Sequence, residues 1–174
     1  MHPILIAEDP AGETSQMRGI NFNETSLLDR GNGSVLAMVR GDSTFHTDAG
    51  FMPVGGVGKL YLVSSDDSGM SWGRPIDTGI FGQPGALTAI SDGRIIATYG
   101  VRRAPYGVRC SISEDEGRSW GNEIVLFDTS PTWDCGYPFT VSLKNNTLCT
   151  VFYCPDEAGI RHIKSMVWRI NGCK

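Results

Sequence analysis

Short runs of apolar and β-branched residues alternate with turn residues along the whole chain. Ser34–Arg40, Lys59–Ser64, Arg94–Tyr99, Ile124–Phe127 and Leu148–Tyr153 are the clearest of these runs. No segment sustains the 3.6-residue apolar period that a long amphipathic helix needs. The 22 Gly and 9 Pro are spread through the sequence and punctuate the runs at short intervals. Short strands separated by regular turn signals predict an all-β fold: a sandwich, a barrel or a propeller.

An internal repeat separates these three. Ser65-Asp66-Asp67-Ser68-Gly69-Met70-Ser71-Trp72-Gly73 recurs as Ser113-Glu114-Asp115-Glu116-Gly117-Arg118-Ser119-Trp120-Gly121, sharing the pattern S-x-D-x-G-x-S-W-G. The spacing, Ser65 to Ser113, is close to the roughly 40–50 residues of one four-stranded propeller blade. The pattern predicts a tight hairpin turn. The carboxylate accepts turn N–H groups, Gly supplies a positive φ, Ser adds a side-chain hydrogen bond, and Trp packs beneath.

A weaker repeat is found on aligning Gly33, Gly93 and Asn146. Each is preceded and followed by a strand-like segment, giving strand, tight turn, strand. A blade therefore runs strand 1, turn, strand 2, long loop, strand 3, S-x-D-x-G-x-S-W turn, strand 4. The expected blades are 22–81, 82–134 and 135–170, the last without its fourth strand. Residues 1–21 are expected to be a leader or a strand of a preceding blade.

These motifs resemble the Asp-box (BNR) repeat sialidases. The resemblance extends over roughly 20–170 and includes Gly136-Tyr137-Pro138, Tyr99-Gly100-Val101-Arg102, and the closing stretch His162-Ile163 to Trp168-Arg169. It implies a six-bladed β-propeller, of which this chain would be a single partial domain of about three blades, matching the C-terminal half. Six blades at the observed spacing would need roughly 290 residues. A homodimer of two arcs, or further blades N-terminal to this segment, would then complete a ring.

Composition narrows the function classes. With 40% hydrophobic and 20% charged residues, the chain can build a core. A net charge of −4 argues against nucleic-acid or anionic-membrane partners, which are held by Lys/Arg excess. No apolar run is long enough for a membrane-spanning helix, and the first nine residues lack the basic start of a signal peptide. The five cysteines, Cys110, Cys135, Cys149, Cys154 and Cys173, contain no C-x-x-C pair and no zinc spacing with His46 or His162. They predict reduced, mostly buried thiols and no metal site. The sequons at Asn32 and Asn145 fall at expected hairpin turns, where turn chemistry accounts for Asn. The sequence assigns no compartment.

Blade topology sorts the candidate residues by face. Strand 1–2 turns and S-x-D-x-G turns share one face, so Asp67 and Asp115 are expected to be structural. The opposite face carries Glu24, Arg40 and Tyr137. The alignment matches position 24 with 84 and 137, so Glu24 and Tyr137 are expected at equivalent places around the central axis.

The sialidase resemblance implies Tyr137 as nucleophile and Glu24 as its base, a neutral phenol approaching a carboxylate-bearing substrate with less repulsion than an anionic Asp or Glu. It also implies an arginine cluster for the substrate carboxylate, since guanidinium offers a planar bidentate fork. Arg40 is one expected member. The segment Tyr99–Arg109 offers Arg102, Arg103 and Arg109, with Arg109 favoured and Arg103 second. No cofactor is expected. Asp42, Asp48 and Asp134 share the face without a motif match to the acid, and Gly-Tyr-Pro departs from the small-Tyr-Ser context of the sialidase nucleophile. The function expected is exo-sialidase-type, retaining glycoside hydrolysis, incomplete in this chain. The alternative is a non-catalytic propeller module binding glycan or protein.

Overall fold

The structure, a computed structural model, describes residues 3–7, 19–47 and 50–170; for Gly19, 43–47 and 50–57 it describes the backbone alone. Eleven strands and no helix are present among them. They are β1 (Gly19–Gly31), β2 (Ser34–Thr47), β3 (Gly50–Ser65), β4 (Ile76–Phe81), β5 (Gly85–Ala89), β6 (Ile95–Val101), β7 (Gly107–Ser113), β8 (Ile124–Phe127), β9 (Gly136–Ser142), β10 (Thr147–Pro155) and β11 (Arg161–Arg169). They form three antiparallel sheets ordered β1-β2-β3-β4, β5-β6-β7-β8 and β9-β10-β11. This is a partial propeller of about three blades, the third with three strands.

Turn chemistry explains the hairpins. Asn32 and Gly33 between β1 and β2 have φ of 52° and 79°; Asn145 and Asn146 between β9 and β10 have 60° and 53°. Two left-handed central residues are what a type I′ hairpin demands, and Asn and Gly tolerate them best.

The two S-x-D-x-G-x-S-W turns share one hydrogen-bond pattern. Asp67 accepts from Ser71 N–H at 2.8 Å, Ser71 Oγ at 2.6 Å and Ser65 Oγ at 2.9 Å. Asp115 accepts from Ser119 N–H, Ser119 Oγ and Ser113 Oγ at 2.8, 2.6 and 2.8 Å. These donors pull both carboxyls down to about 2, the Ser71 and Ser119 hydroxyls contributing most. Trp72 and Trp120 are half-buried beneath the turns, less enclosed than the pattern suggested.

One expected loop is a hairpin instead. The backbone of β2 and β3 stays paired beyond Asp42 and Gly58 out to Thr47 and Gly50.

The blades stack through apolar faces. Leu36, Met38, Leu60 and Leu62 of the first sheet meet Leu87, Ile95, Ala97 and Tyr99 of the second. Ile96, Cys110 and Val108 of the second meet Leu148, Phe152 and Cys154 of the third. Each such fully buried large side chain stabilises the fold by about 1.5–3 kcal/mol. A threonine ladder crosses the second interface. Thr140 Oγ1 lies 3.2 Å from Thr98 Oγ1 and 2.8 Å from Thr150 Oγ1, and Thr88 Oγ1 donates to Thr140 O at 2.7 Å. Ile6 and Ala7 pack on the outer face of the first sheet, against the cluster of Ala37, Val39 and Val63.

Candidate functional site

The innermost strands β1, β5 and β9 carry positions 24, 84 and 137 to one cleft of about 290 Å³, lined by Glu24, Pro84, Tyr137 and Phe139 among others. The equivalence read from the repeat is therefore spatial. The S-x-D-x-G turns lie at the other end of the sheets: Ser68 N–H donates to Gly33 O at 2.8 Å, beside the β1–β2 turn. Seven residues of strand from Gly31 to Glu24 span about 23 Å.

Both Glu24 and Tyr137 sit on β-bulges. In the β1–β2 ladder Asn23 faces Arg40 and Thr25 faces Val39, so Glu24 is the extra residue. In the β9–β10 ladder Phe139 faces Val151 and Gly136 faces Tyr153, so Tyr137 and Pro138 together oppose Phe152. A bulge re-aims a side chain out of the strict in–out alternation. Pro138 fits there because it has no N–H for the ladder. Tyr137 has φ of 48°, a strained left-handed conformation for an aromatic residue. Gly136 before it has φ of 134°, and a Cβ there would stand 3.3 Å from Gly100 Cα, a tight contact in a conformation that favours glycine.

The result is a phenol–carboxylate pair. Tyr137 Oη donates to Glu24 Oε1. Arg40 donates from its NH1 nitrogen to Glu24 Oε2 at 2.6 Å. Burial pushes the Glu24 carboxyl up, but the Tyr137 hydroxyl and Arg40 outweigh it and hold the group below its ordinary value. The same hydrogen bond to Glu24, with partial burial, raises the Tyr137 phenol. The pair is thus an ionised carboxylate accepting from a neutral phenol, and Tyr137 is 50% exposed.

The expected arginines are placed differently. Arg40 engages Glu24 through NH1 and Asp42 through Nε and NH2, at 2.6, 3.0 and 2.9 Å. All three nitrogens are occupied, so Arg40 positions Glu24 rather than offering a free fork. Arg109 is only 2% exposed. It donates to the carbonyls of Val108, Phe127 and Pro105 and pairs with Glu123 at 3.5 Å. Arg103 donates to Phe81 O at 2.9 Å and to Glu123 at 3.1 Å. Neither is brought to Tyr137. Both brace the Glu123 corner.

Arg102 is the arginine whose charge reaches Glu24, Tyr137, Asp134 and Tyr153 together. Its Nε is buried with no hydrogen-bond partner among the described residues, and its guanidinium lies 5.4 Å from the Trp133 ring centroid. The signal for it was present: on the Gly33–Gly93 alignment, Arg102 stands where Asp42 stands, beside the Glu24 pair.

A second polar cluster adjoins the first. Tyr153 Oη donates to Asp134 Oδ1 at 2.6 Å, Arg161 Nε donates to Asp134 Oδ2 at 2.8 Å, and the Tyr137 and Tyr153 rings lie 5.9 Å apart. Burial, with the hydrogen bond to Asp134, pushes Tyr153 up to about 12. The Tyr153 hydroxyl, backed by Arg161, holds the Asp134 carboxyl below its ordinary value. Asp42 accepts from Arg40 and from Asn23 Nδ2. Asp48 lies outside the described residues. A larger hollow, about 610 Å³, opens at the turn end between Trp120 and Trp168 and has no part in this constellation.

Comparison with solved structures fits the architecture. A crystal structure of a protein of unknown function from Dyadobacter fermentans DSM 18053 is 26% identical with a TM-score of 0.72, over 95% of this chain and 41% of that one. The Hadza microbial sialidase Hz136 is 17% identical at TM-score 0.60, over 95% and 35%. The xylan β-1,4-xylosidase of Bacillus halodurans C-125 is 14% identical at 0.62, over 93% and 30%. The fold is a partial β-propeller shared with segments of these three proteins. The chain spans less than half the length of each of these proteins. No protein-family model and no curated protein matches it.

Proposed function

We propose that this chain is one partial propeller domain of a sialidase-like, retaining glycoside hydrolase, with Tyr137 as nucleophile and Glu24 as its base. The observation that carries the reading is the hydrogen bond from the Tyr137 hydroxyl to an ionised Glu24, both aimed by bulges at one cleft. The Tyr137 oxygen attacks the anomeric carbon as the bond to the leaving group breaks, and the phenolic proton passes to Glu24. Water then releases the sugar from the glycosyl-tyrosine: Glu24 returns its proton to the departing Tyr137 oxygen, and the water proton goes to the group that had protonated the first leaving group. Arg40 fixes the Glu24 orientation. Arg102, whose charge reaches both Glu24 and Tyr137, is the anchor for a substrate carboxylate.

The leaving group also needs a proton. Asp134 is held ionised by Tyr153 and Arg161, and Asp42 is bound to Arg40. Neither is a suitable acid, so weak or absent turnover is expected of this chain alone. The same facts favour a second reading, a module that binds glycan on this face without cleaving it. A fluorogenic sialoside separates the two. Turnover above a Tyr137→Phe control supports the hydrolase; sialoside binding without turnover, in an assembly holding every blade, would favour the module.

A further inference from the structure

Trp133 is the exposed tryptophan of this protein. The residue is 55% exposed, whereas Trp72, Trp120 and Trp168 are half-buried. Leaving an indole in water forfeits a large apolar gain, and such side chains concentrate at contact surfaces. Trp133 precedes the tyrosine bulge by four residues, on the segment that joins β8 to β9.

That segment is held in place. Ser130 N–H donates to Tyr106 O at 3.3 Å, Ser130 Oγ to Thr132 O at 2.8 Å, and Cys135 N–H to Trp133 O at 2.9 Å. The next side chain, Asp134, is tied to Tyr153 and Arg161. Arg102 lies over one face of the indole, so the accessible area belongs to the other face and the edge. Tyr153, which holds Asp134 next to Trp133, has its ring 5.9 Å from that of Tyr137, so the indole stands beside the phenol–carboxylate pair.

We infer that Trp133 is a sugar-stacking platform, which takes the apolar C–H face of the pyranose ring next to the residue held at Tyr137. The inference rests on the carbohydrate part of the proposed function and not on its chemistry. A flat ring, fixed before the ligand arrives, suits such a contact because little ordering remains to be done on binding. Arg102 then has two tasks: to meet an anionic group with its guanidinium, and to hold the indole flat.

The test is a tryptophan-fluorescence titration of the whole chain with 3′-sialyllactose, lactose and xylohexaose. Sialyllactose should quench and shift the exposed-tryptophan emission. Trp133→Phe should lose that signal yet keep most of the affinity by calorimetry, and Trp133→Ala should bind about tenfold more weakly. Equal sialyllactose affinity in the parent chain and Trp133→Ala overturns the platform and leaves the sialoside reading standing. Quenching by the neutral sugars with no preference for sialyllactose supports the platform and sinks the sialoside reading. No quenching by any of the three overturns the platform.

Discussion

Glu24 and Tyr137 are 113 residues apart in sequence, on different sheets, and each belongs to the extra segment of a β-bulge. Their hydrogen bond couples two titrations in opposite directions. The Glu24 carboxyl is lowered, so the stability it contributes is present above the ordinary glutamate range and is lost as pH falls through its folded value. The Tyr137 phenol is raised, so its contribution is present below the ordinary tyrosine range and is lost as pH rises through its folded value. Ultraviolet titration of the tyrosines should therefore show one phenol that moves down in Glu24→Gln. A tyrosine titration identical in the two proteins would remove the coupling.

Arg109 and Arg102 should separate cleanly. Arg109→Ala removes a buried guanidinium from three carbonyls and from Glu123, and should cost about 3 kcal/mol or more in denaturant unfolding. Arg102→Ala should leave unfolding nearly unchanged and weaken the binding of a carboxylate-bearing sugar. The reverse outcome would return Arg109 to the site.

The turn aspartates should behave as structural groups. Their carboxyls are pulled down to about 2, so the stability they contribute is present above the ordinary aspartate range and lost as pH falls toward 2. Asp67→Ala and Asp115→Ala should lower the melting temperature at neutral pH and flatten the acid side of the stability profile. Sugar affinity should not change. A binding defect at unchanged melting temperature would contradict their place at the far end of the sheets.

The threonine ladder makes a sharper packing test. Thr140→Val keeps the shape but removes the hydroxyl that meets Thr98 and Thr150, leaving buried oxygens with fewer partners. The expected cost is about 1–2 kcal/mol, recovered largely by Thr140→Ser. If valine proves neutral, the stacking of the second and third blades rests on the apolar clusters alone.

Strand content, blade order and the convergence of positions 24, 84 and 137 were readable because turn residues and repeats report backbone geometry directly. The arginines were not. Their assignment depends on which carbonyls and carboxylates lie within reach, and Arg109, Arg103 and Arg102 look alike in a single segment. Burial of Arg109 depends on the carbonyl of Phe127, eighteen residues on. The bulges were half visible: Gly-Tyr-Pro signals an irregular strand start, but nothing around Glu24 marks the shift between Asn23 and Thr25.

The last prediction concerns association. On the third sheet, the face turned away from the second carries Phe139, Val141, Val151, Ile163 and Val167, each from 40% to 76% exposed. The ladders place Val141, Cys149 and Val167 in one cross-strand row, and Phe139 beside Val151 in the next, so these residues form one continuous patch. The corresponding faces of the first and second sheets are covered by the next blade. Apolar patches of this kind drive association or aggregation. The 174-residue chain should therefore self-associate at tens of micromolar, seen by light scattering coupled to size exclusion. Replacing Val151 and Val167 by Lys should shift it toward monomer without loss of the fold, because both side chains already face solvent. A parent chain that stays monomeric across that range would overturn the prediction, as would an assembly that persists unchanged in the double variant.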